Sequence, residues 1–142
     1  MKHILRALPA GMASLLVVTA IAYLSLSSDP MGASHIHLFP GSDKVIHLLM
    51  YLAASMAFIL DYAKVQLPHH TRQNVELALM ASAMLLGLIM EVCQLYLTTT
   101  RSFDVSDIAF NCLGALAGYA WLRYGGLMRR YRRIMLSRQH NG

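Results

Sequence analysis

Charged residues are scarce in this sequence. Asp, Glu, Lys and Arg make up 13% of its 142 residues, whereas 56% of the residues are apolar. A composition so poor in charge lies outside the range of ordinary soluble domains. The sequence also lacks the internal repeats and low-complexity tracts that would indicate linkers or several units. It therefore predicts a single membrane domain over residues 1–142.

Cysteine and catalytic motifs are equally scarce. The two cysteines, Cys93 and Cys112, leave a disulfide open without establishing one. Inside a helix, each would serve most often as a small apolar side chain. No motif signals a reaction class, which leaves enzymatic activity open. Ionisable residues are missing from the centres of the predicted membrane helices, which argues against transport.

Hydrophobic stretches are what the sequence does contain. A hydrocarbon core of roughly 30 Å needs about 20 apolar residues per helical crossing. Four stretches qualify and predict helices over about 7–26, 45–61, 75–97 and 105–124. The first stretch is longer than the core of a signal peptide, so we expect a membrane helix there and no cleavage. The sequence thus predicts an all-α, integral membrane four-helix bundle.

The basic residues predict how these helices are oriented, because Lys and Arg that flank membrane helices stay in the cytoplasm. With the N-terminus inside, ten of the twelve Lys and Arg residues are cytoplasmic, and only Lys44 and Arg101 lie outside. We therefore expect both termini to be cytoplasmic (N-in/C-in) and residues 125–142 to form a basic cytoplasmic tail. The basic run at 129–133 could bind anionic lipid headgroups, but its simplest role is to fix the last helix in place.

Polar residues gather at the external end of the bundle under this orientation. An ionisable group at membrane depth costs several kcal/mol unless it faces the bundle interior, pairs or reaches water. The residues in question are Asp29, Asp43, His47, Glu91, Gln94, Arg101, Asp104, Asp107 and Asn111.

Helical spacing sorts most of these residues into rows, because residues three and four positions apart share a helix face. The rows are Asp43, His47 and Tyr51; Gly87, Glu91 and Gln94; and Asp104, Asp107, Asn111, Gly114 and Gly118. Small residues let helix backbones approach closely, so the polar residues above Gly114 and Gly118 should face a neighbouring helix. We predict a polar pocket that opens outward.

The charge of this pocket permits several interpretations. Four carboxylates (Asp43, Glu91, Asp104 and Asp107) face two cations (Lys44 and Arg101). The partly positive N-terminal ends of the second and fourth helices, with the two cations, could hold a phosphate or carboxylate. A divalent cation, protonated carboxylates or a protonated His47 could instead offset the negative excess. A plainer alternative is a hydrogen-bonded plug that fixes helix packing.

The ordered combination of these residues resembles the VanZ-like family of small bacterial membrane proteins. The segments that carry the resemblance cover roughly residues 40–120. They are Asp43-Lys44-Val45-Ile46-His47 with Tyr51, Glu91-Val92-Cys93-Gln94, Arg101-Ser102-Phe103-Asp104-Val105-Ser106-Asp107, and Asn111-Cys112-Leu113-Gly114 with Gly118.

The resemblance implies a multi-pass protein of the bacterial inner membrane, in a family whose founding members are associated with resistance to the glycopeptide teicoplanin. It also implies that the family's recurrent polar residues have counterparts here. These are Asp43, Lys44, His47, Glu91, Gln94, Arg101, Asp104, Asp107 and Asn111.

Together these observations favour a protein that binds an anionic envelope ligand, such as a lipid-linked cell-wall precursor, in the outer pocket. Lys44 and Arg101 would contact the anion, and the neighbouring polar residues would orient them. One alternative is an enzyme acting on a lipid phosphate, with His47 or Glu91 as catalytic candidates. Another is an accessory subunit bound to a membrane protein partner. We expect contact with the lipid bilayer and none with nucleic acid.

Overall fold

The computed structural model describes residues 9–27, 41–98 and 104–136, and these residues lie mostly in α-helices. No strand occurs within these three ranges, which confirms the all-α class. The helices are α1 (Met12–Leu26), α2 (Ser42–Gln66), α3 (Gln73–Leu97), α4 (Val105–Tyr124) and α5 (Leu127–Leu136).

Three of these helices, α2, α3 and α4, are long and apolar enough to cross a membrane. The chain is therefore a membrane protein. The first helix, α1, is apolar but has 15 residues, fewer than the roughly 20 that a perpendicular crossing needs. Within the described ranges the structure thus has three candidate spans, where the sequence predicts four. The orientation of the termini stays a prediction.

Two predicted helices have bounds that differ from the structure by three or more residues. Residues 10 and 11 form a turn, and α1 begins at Met12 after Gly11, whose φ of 90° is a conformation that glycine adopts readily. The second helix continues past the predicted range 45–61 at both ends. Asp43 lies in its first turn and Lys64 in its last, and these charges suit the partial charges of the helix ends. The apolar stretch alone therefore underestimates the length of α2.

The segment predicted as a basic tail contains α5. Leu127, Met128 and Tyr131 share one face of this helix, since they lie three and four positions apart. Leu127 and Met128 pack against the cluster formed by Ile59, Tyr119 and Leu122. Positions 129, 130, 132 and 133 are arginine, so α5 is an amphipathic helix that packs on the bundle.

The helices α2 and α4 are the most closely packed pair. Gly114 and Gly118 lie against the backbone of Leu48 and Leu52 in α2. A Cβ atom at Gly114 would overlap the carbonyl group of Leu48, and one at Gly118 would lie 2.6 Å from the carbonyl oxygen of Leu52. The two backbones can touch only because these positions have no side chain.

Contacts at the helix ends show how the bundle is arranged. The backbone nitrogen of Ser14, near the start of α1, donates to Asp61 of α2 over 2.8 Å. Gln94 near the end of α3 donates to the carbonyl of Ser25 near the end of α1 over 3.0 Å. Hence α1 and α3 run in one direction and α2 and α4 in the other. We call the end that contains Ser25 and Gln94 the site end.

Small and aromatic side chains fill the interior, where Tyr51, Ala54, Ala83 and Ala115 are fully buried with Ile21. Many large aliphatic side chains instead face outward. Lipid is as apolar as leucine, so a membrane bundle gains more from close contact between small residues than from burying large ones. This distribution leaves the interior free for polar groups.

Candidate functional site

A cluster of polar side chains lies inside the bundle at the site end. Its members are His47 of α2, Glu91 of α3, and Asp107 and Asn111 of α4, and all four are buried. We call these four residues the polar site. Polar groups removed from water need partners, so their mutual contacts decide what the site can do.

His47 lies at the centre of the polar site. Its Nδ1 is 2.9 Å from Oδ1 of Asn111 and 3.8 Å from Oε1 of Glu91. Its Nε2 is 3.8 Å from Oδ2 of Asp107. The imidazole is therefore placed between two carboxylates from different helices, an arrangement that can hold either a proton or a cation.

A half-exposed rim, formed by Lys44, Asp104 and Ser106, covers the polar site. Lys44 Nζ lies 3.2 Å from Asp104 Oδ2 and 3.6 Å from Asp107 Oδ1, with 31% of the Lys44 side chain and 45% of the Asp104 side chain exposed. Lys44 also donates to the hydroxyl of Ser106. The first turn of α2 is thereby connected to the start of α4. Lys44 is the one Lys or Arg among the described residues that reaches this rim.

Asp104 is the N-cap of α4. Its Oδ1 accepts hydrogen bonds from the backbone nitrogen of Ser106 over 2.8 Å and from the Ser106 hydroxyl over 2.7 Å. These bonds, followed by the one from Lys44, lower the pKa of Asp104 to about 2. Asp104 is therefore charged at neutral pH. Its backbone nitrogen lies 3.4 Å from Oε2 of Glu91 and links the rim to the polar site.

Several buried polar atoms have no hydrogen-bond partner among the described residues. They include Oε1 of Glu91, Oδ1 of Asp107, Nδ2 of Asn111 and the hydroxyl of Tyr51. Leaving such a group unpaired costs about 1–3 kcal/mol, and more when the group is charged. Gly87 lies beside one of these atoms and one ring that carries another, since a Cβ there would be 3.1 Å from Nδ2 of Asn111 and 3.2 Å from Cε1 of Tyr51. The absence of a side chain at Gly87 thus lets Asn111 and Tyr51 pack directly against α3.

The structure brings together six of the residues that the sequence selects as ligand-binding candidates: Lys44, His47, Glu91, Asp104, Asp107 and Asn111. Gln94 instead bonds to the carbonyl of Ser25, at the contact between α3 and α1. Asp43 is exposed. Arg101 lies outside the described residues.

Sequence reasoning missed Ser106, which contacts both Lys44 and Asp104. The signal was present, because Asp followed two residues later by Ser at a helix start is a common capping arrangement. It also missed buried Glu76 at the opposite end of the bundle, whose Oε2 accepts from Arg123 over 3.1 Å. The sequence did contain a sign of this residue, because Glu76 is an acidic residue in the first turn of an apolar helix.

The fold and the site define a helical membrane protein with a buried histidine and two carboxylates at one end. The model of the VanZ/LLP1 family matches residues 10–128, and the chain belongs to this family. This match confirms the resemblance drawn from the segments between residues 43 and 118. Neither a curated protein nor a solved structure gives a significant match.

Proposed function

We propose that this VanZ/LLP1-family protein lies in the bacterial inner membrane and binds the anionic group of an envelope lipid at the rim of its polar site. On this proposal the site end faces outward and both termini are cytoplasmic. The teicoplanin resistance associated with the family's founding members supports a ligand of the cell envelope.

The distribution of basic residues supports this orientation. Arg123 lies in the last turn of α4, and the basic residues of α5 follow it at the end remote from Lys44. The 20 residues of α4 extend about 30 Å, which matches the thickness of a hydrocarbon core. Cationic side chains next to a membrane helix favour the cytoplasmic side.

The observation that carries the proposal is the contact of Lys44 with the N-terminal turn of α4. It brings the N-terminal ends of α2 and α4 together at a half-exposed rim. Helix N-termini carry partial positive charge and unpaired N–H groups, and they are common binding places for phosphates and carboxylates. An incoming anion would compete with Asp104 for the ammonium group of Lys44.

Binding of a fluorescent polyprenyl diphosphate to the protein in nanodiscs tests the proposal. We expect the Lys44→Gln, Arg101→Gln double variant to raise the Kd about tenfold or more, which corresponds to about 1.4 kcal/mol. Lys64→Gln is the matched control because Lys64 lies in the last turn of α2. Equal Kd values for the double variant and the wild type, or equal binding of the uncharged polyprenol, would overturn the proposal.

A second candidate function is hydrolysis of a lipid phosphate. It is favoured by His47, which lies between Glu91 and Asp107 and has the surroundings of a general acid or base. We expect release of inorganic phosphate from polyprenyl phosphates that is lost in His47→Ala and retained in His70→Ala. Release at the same rate in both variants would remove this candidate.

A further inference from the structure

We propose that His47, Glu91 and Asp107 form a binding site for a divalent transition-metal ion. One nitrogen of His47 and one oxygen of each carboxylate lie within 4.8 Å of one another. Ligand atoms at about 2.0–2.2 Å from an ion stand about 3–4 Å apart. The separation of 3.8 Å between Nε2 of His47 and Oδ2 of Asp107 falls in this range. Three different helices supply the donors, so the fold itself fixes their geometry.

Unpaired buried oxygens are the second observation. Oε1 of Glu91 and Oδ1 of Asp107 are buried without a hydrogen-bond partner among the described residues, and Glu91 is fully buried. A hydrogen-bonded plug would satisfy these atoms. Lys44 Nζ comes within 3.6 Å of Oδ1 of Asp107, which is beyond hydrogen-bond distance. A bound cation would satisfy both oxygens and balance their charge.

The state of His47 suits a metal ligand. The amide oxygen of Asn111 can only accept, so Nδ1 of His47, 2.9 Å away, carries the hydrogen. That leaves the lone pair of Nε2 free on the side of Asp107. Metal-binding histidines usually donate their other N–H group to an oxygen in this way, which fixes the tautomer and the ring orientation.

Charge selects the class of ion. When all three carboxylates are ionised, Glu91, Asp104 and Asp107 carry three negative charges against the one positive charge of Lys44. Three minus one leaves an excess of two, which a divalent ion neutralises. Imidazole nitrogen with carboxylate oxygen suits Zn²⁺ or Mn²⁺, whereas Mg²⁺ and Ca²⁺ prefer oxygen donors alone. The site therefore fits Zn²⁺ or a similar first-row ion.

The metal site stands on its own geometry, but its link with a ligand rests on the proposed function. Three protein donors leave a coordination position open, as in zinc sites that bind a further ligand. An ion there would supply the positive charge that the described rim lacks for an anionic headgroup. The carboxylates would then favour anion binding by holding the ion.

The test uses the full-length protein in nanodiscs, stripped with a chelator and dialysed against Zn²⁺, Co²⁺ or Mg²⁺. We expect one tightly bound Zn²⁺ per chain by mass spectrometry, visible absorption bands from bound Co²⁺, and little retention of Mg²⁺. The conservative variants Glu91→Gln and Asp107→Asn should weaken Zn²⁺ binding by more than the roughly 10- to 100-fold that loss of a second-shell partner costs. The control Glu76→Gln removes a buried carboxylate at the other end of the bundle and should bind Zn²⁺ normally.

Wild-type protein that retains no Zn²⁺ or Co²⁺ would overturn the metal site. Equal Zn²⁺ affinity in the wild type and in Asp107→Asn would overturn it as well. If a variant fails to fold, the stoichiometry and Co²⁺ spectrum of the wild type decide the question. Normal Zn²⁺ binding without polyprenyl diphosphate binding would contradict the proposed function alone. Polyprenyl diphosphate binding without Zn²⁺ binding would contradict the metal site alone.

Discussion

His47 Nδ1 lies 2.9 Å from Oδ1 of Asn111, so a residue of α2 is oriented by a residue of α4 that is 64 positions away in the chain. This contact lies above the place where Gly114 and Gly118 bring the two helix backbones together. Close packing of α2 and α4 therefore sets the position of the imidazole between Glu91 and Asp107. Changes to the packing and changes to the site should be measurable separately.

Gly114→Ala should destabilise the bundle by about 1–3 kcal/mol, the usual cost of overpacking. The added Cβ would overlap the carbonyl of Leu48, so α2 and α4 must separate. Unfolding in a detergent titration measures the effect. Ala117→Val adds bulk on the exposed face of α4 and should change stability little. Equal stability of the two variants would contradict the close contact.

Arg123→Ala should also destabilise the protein, by about 1–3 kcal/mol, because it leaves the buried carboxylate of Glu76 short of a partner. Combining it with Glu76→Gln should recover part of the loss, since the buried charge is then removed. The same detergent titration, applied to both single variants and the double variant, gives the coupling energy. Strictly additive effects of the two substitutions on the free energy of unfolding would show that the interaction between Arg123 and Glu76 does not stabilise the protein.

Gln94→Leu should loosen α1 and leave the polar site unchanged. It removes the bond to the Ser25 carbonyl, and one neutral hydrogen bond contributes about 0.5–1.5 kcal/mol. Hydrogen exchange should become faster at the end of α1, near residue 25, with unchanged affinity for Zn²⁺ and polyprenyl diphosphate. A large loss of either affinity would restore Gln94 as a ligand-binding residue, as the sequence alone suggests.

Labelling of single cysteines tests the orientation. Cys93 and Cys112 are free and can be replaced by serine before Asp43→Cys or Arg130→Cys is introduced. A membrane-impermeant maleimide should label position 43 in intact cells with a permeable outer barrier, and position 130 only after the inner membrane is opened. Labelling of position 130 from outside would refute the proposed topology, and the outward-facing ligand site would be lost with it.

Tyr131 of α5 should give the protein a sensitivity to high pH. Burial, followed by the nearby negative charge of Asp61, raises the pKa of the Tyr131 hydroxyl above its usual value of 10.0. The unfolded chain loses this proton at lower pH than the folded protein does. The stability from this group is therefore complete below pH 10 and declines as the pH rises through the higher folded pKa. Thermal unfolding between pH 9 and 11 should show this decline in the wild type and a smaller one in Tyr131→Phe.

The sequence by itself determined the all-α class and the membrane character, because bilayer thickness translates directly into lengths of apolar sequence. It also placed His47, Glu91, Asp107 and Asn111 on rows that share a helix face. Spacing of three and four residues fixes such rows within any helix, whatever surrounds it.

Only the tertiary structure decided which rows meet. Periodicity gives the face of a helix but not its neighbour, and the relative rotation and height of helices come from packing. Contact of Gly114 with Leu48 sets the height of α4 against α2, and so brings Asn111 to His47. Packing of α1 turns Gln94 toward Ser25 and away from the polar site. These outcomes depend on side chains distant in the chain, which no local pattern encodes.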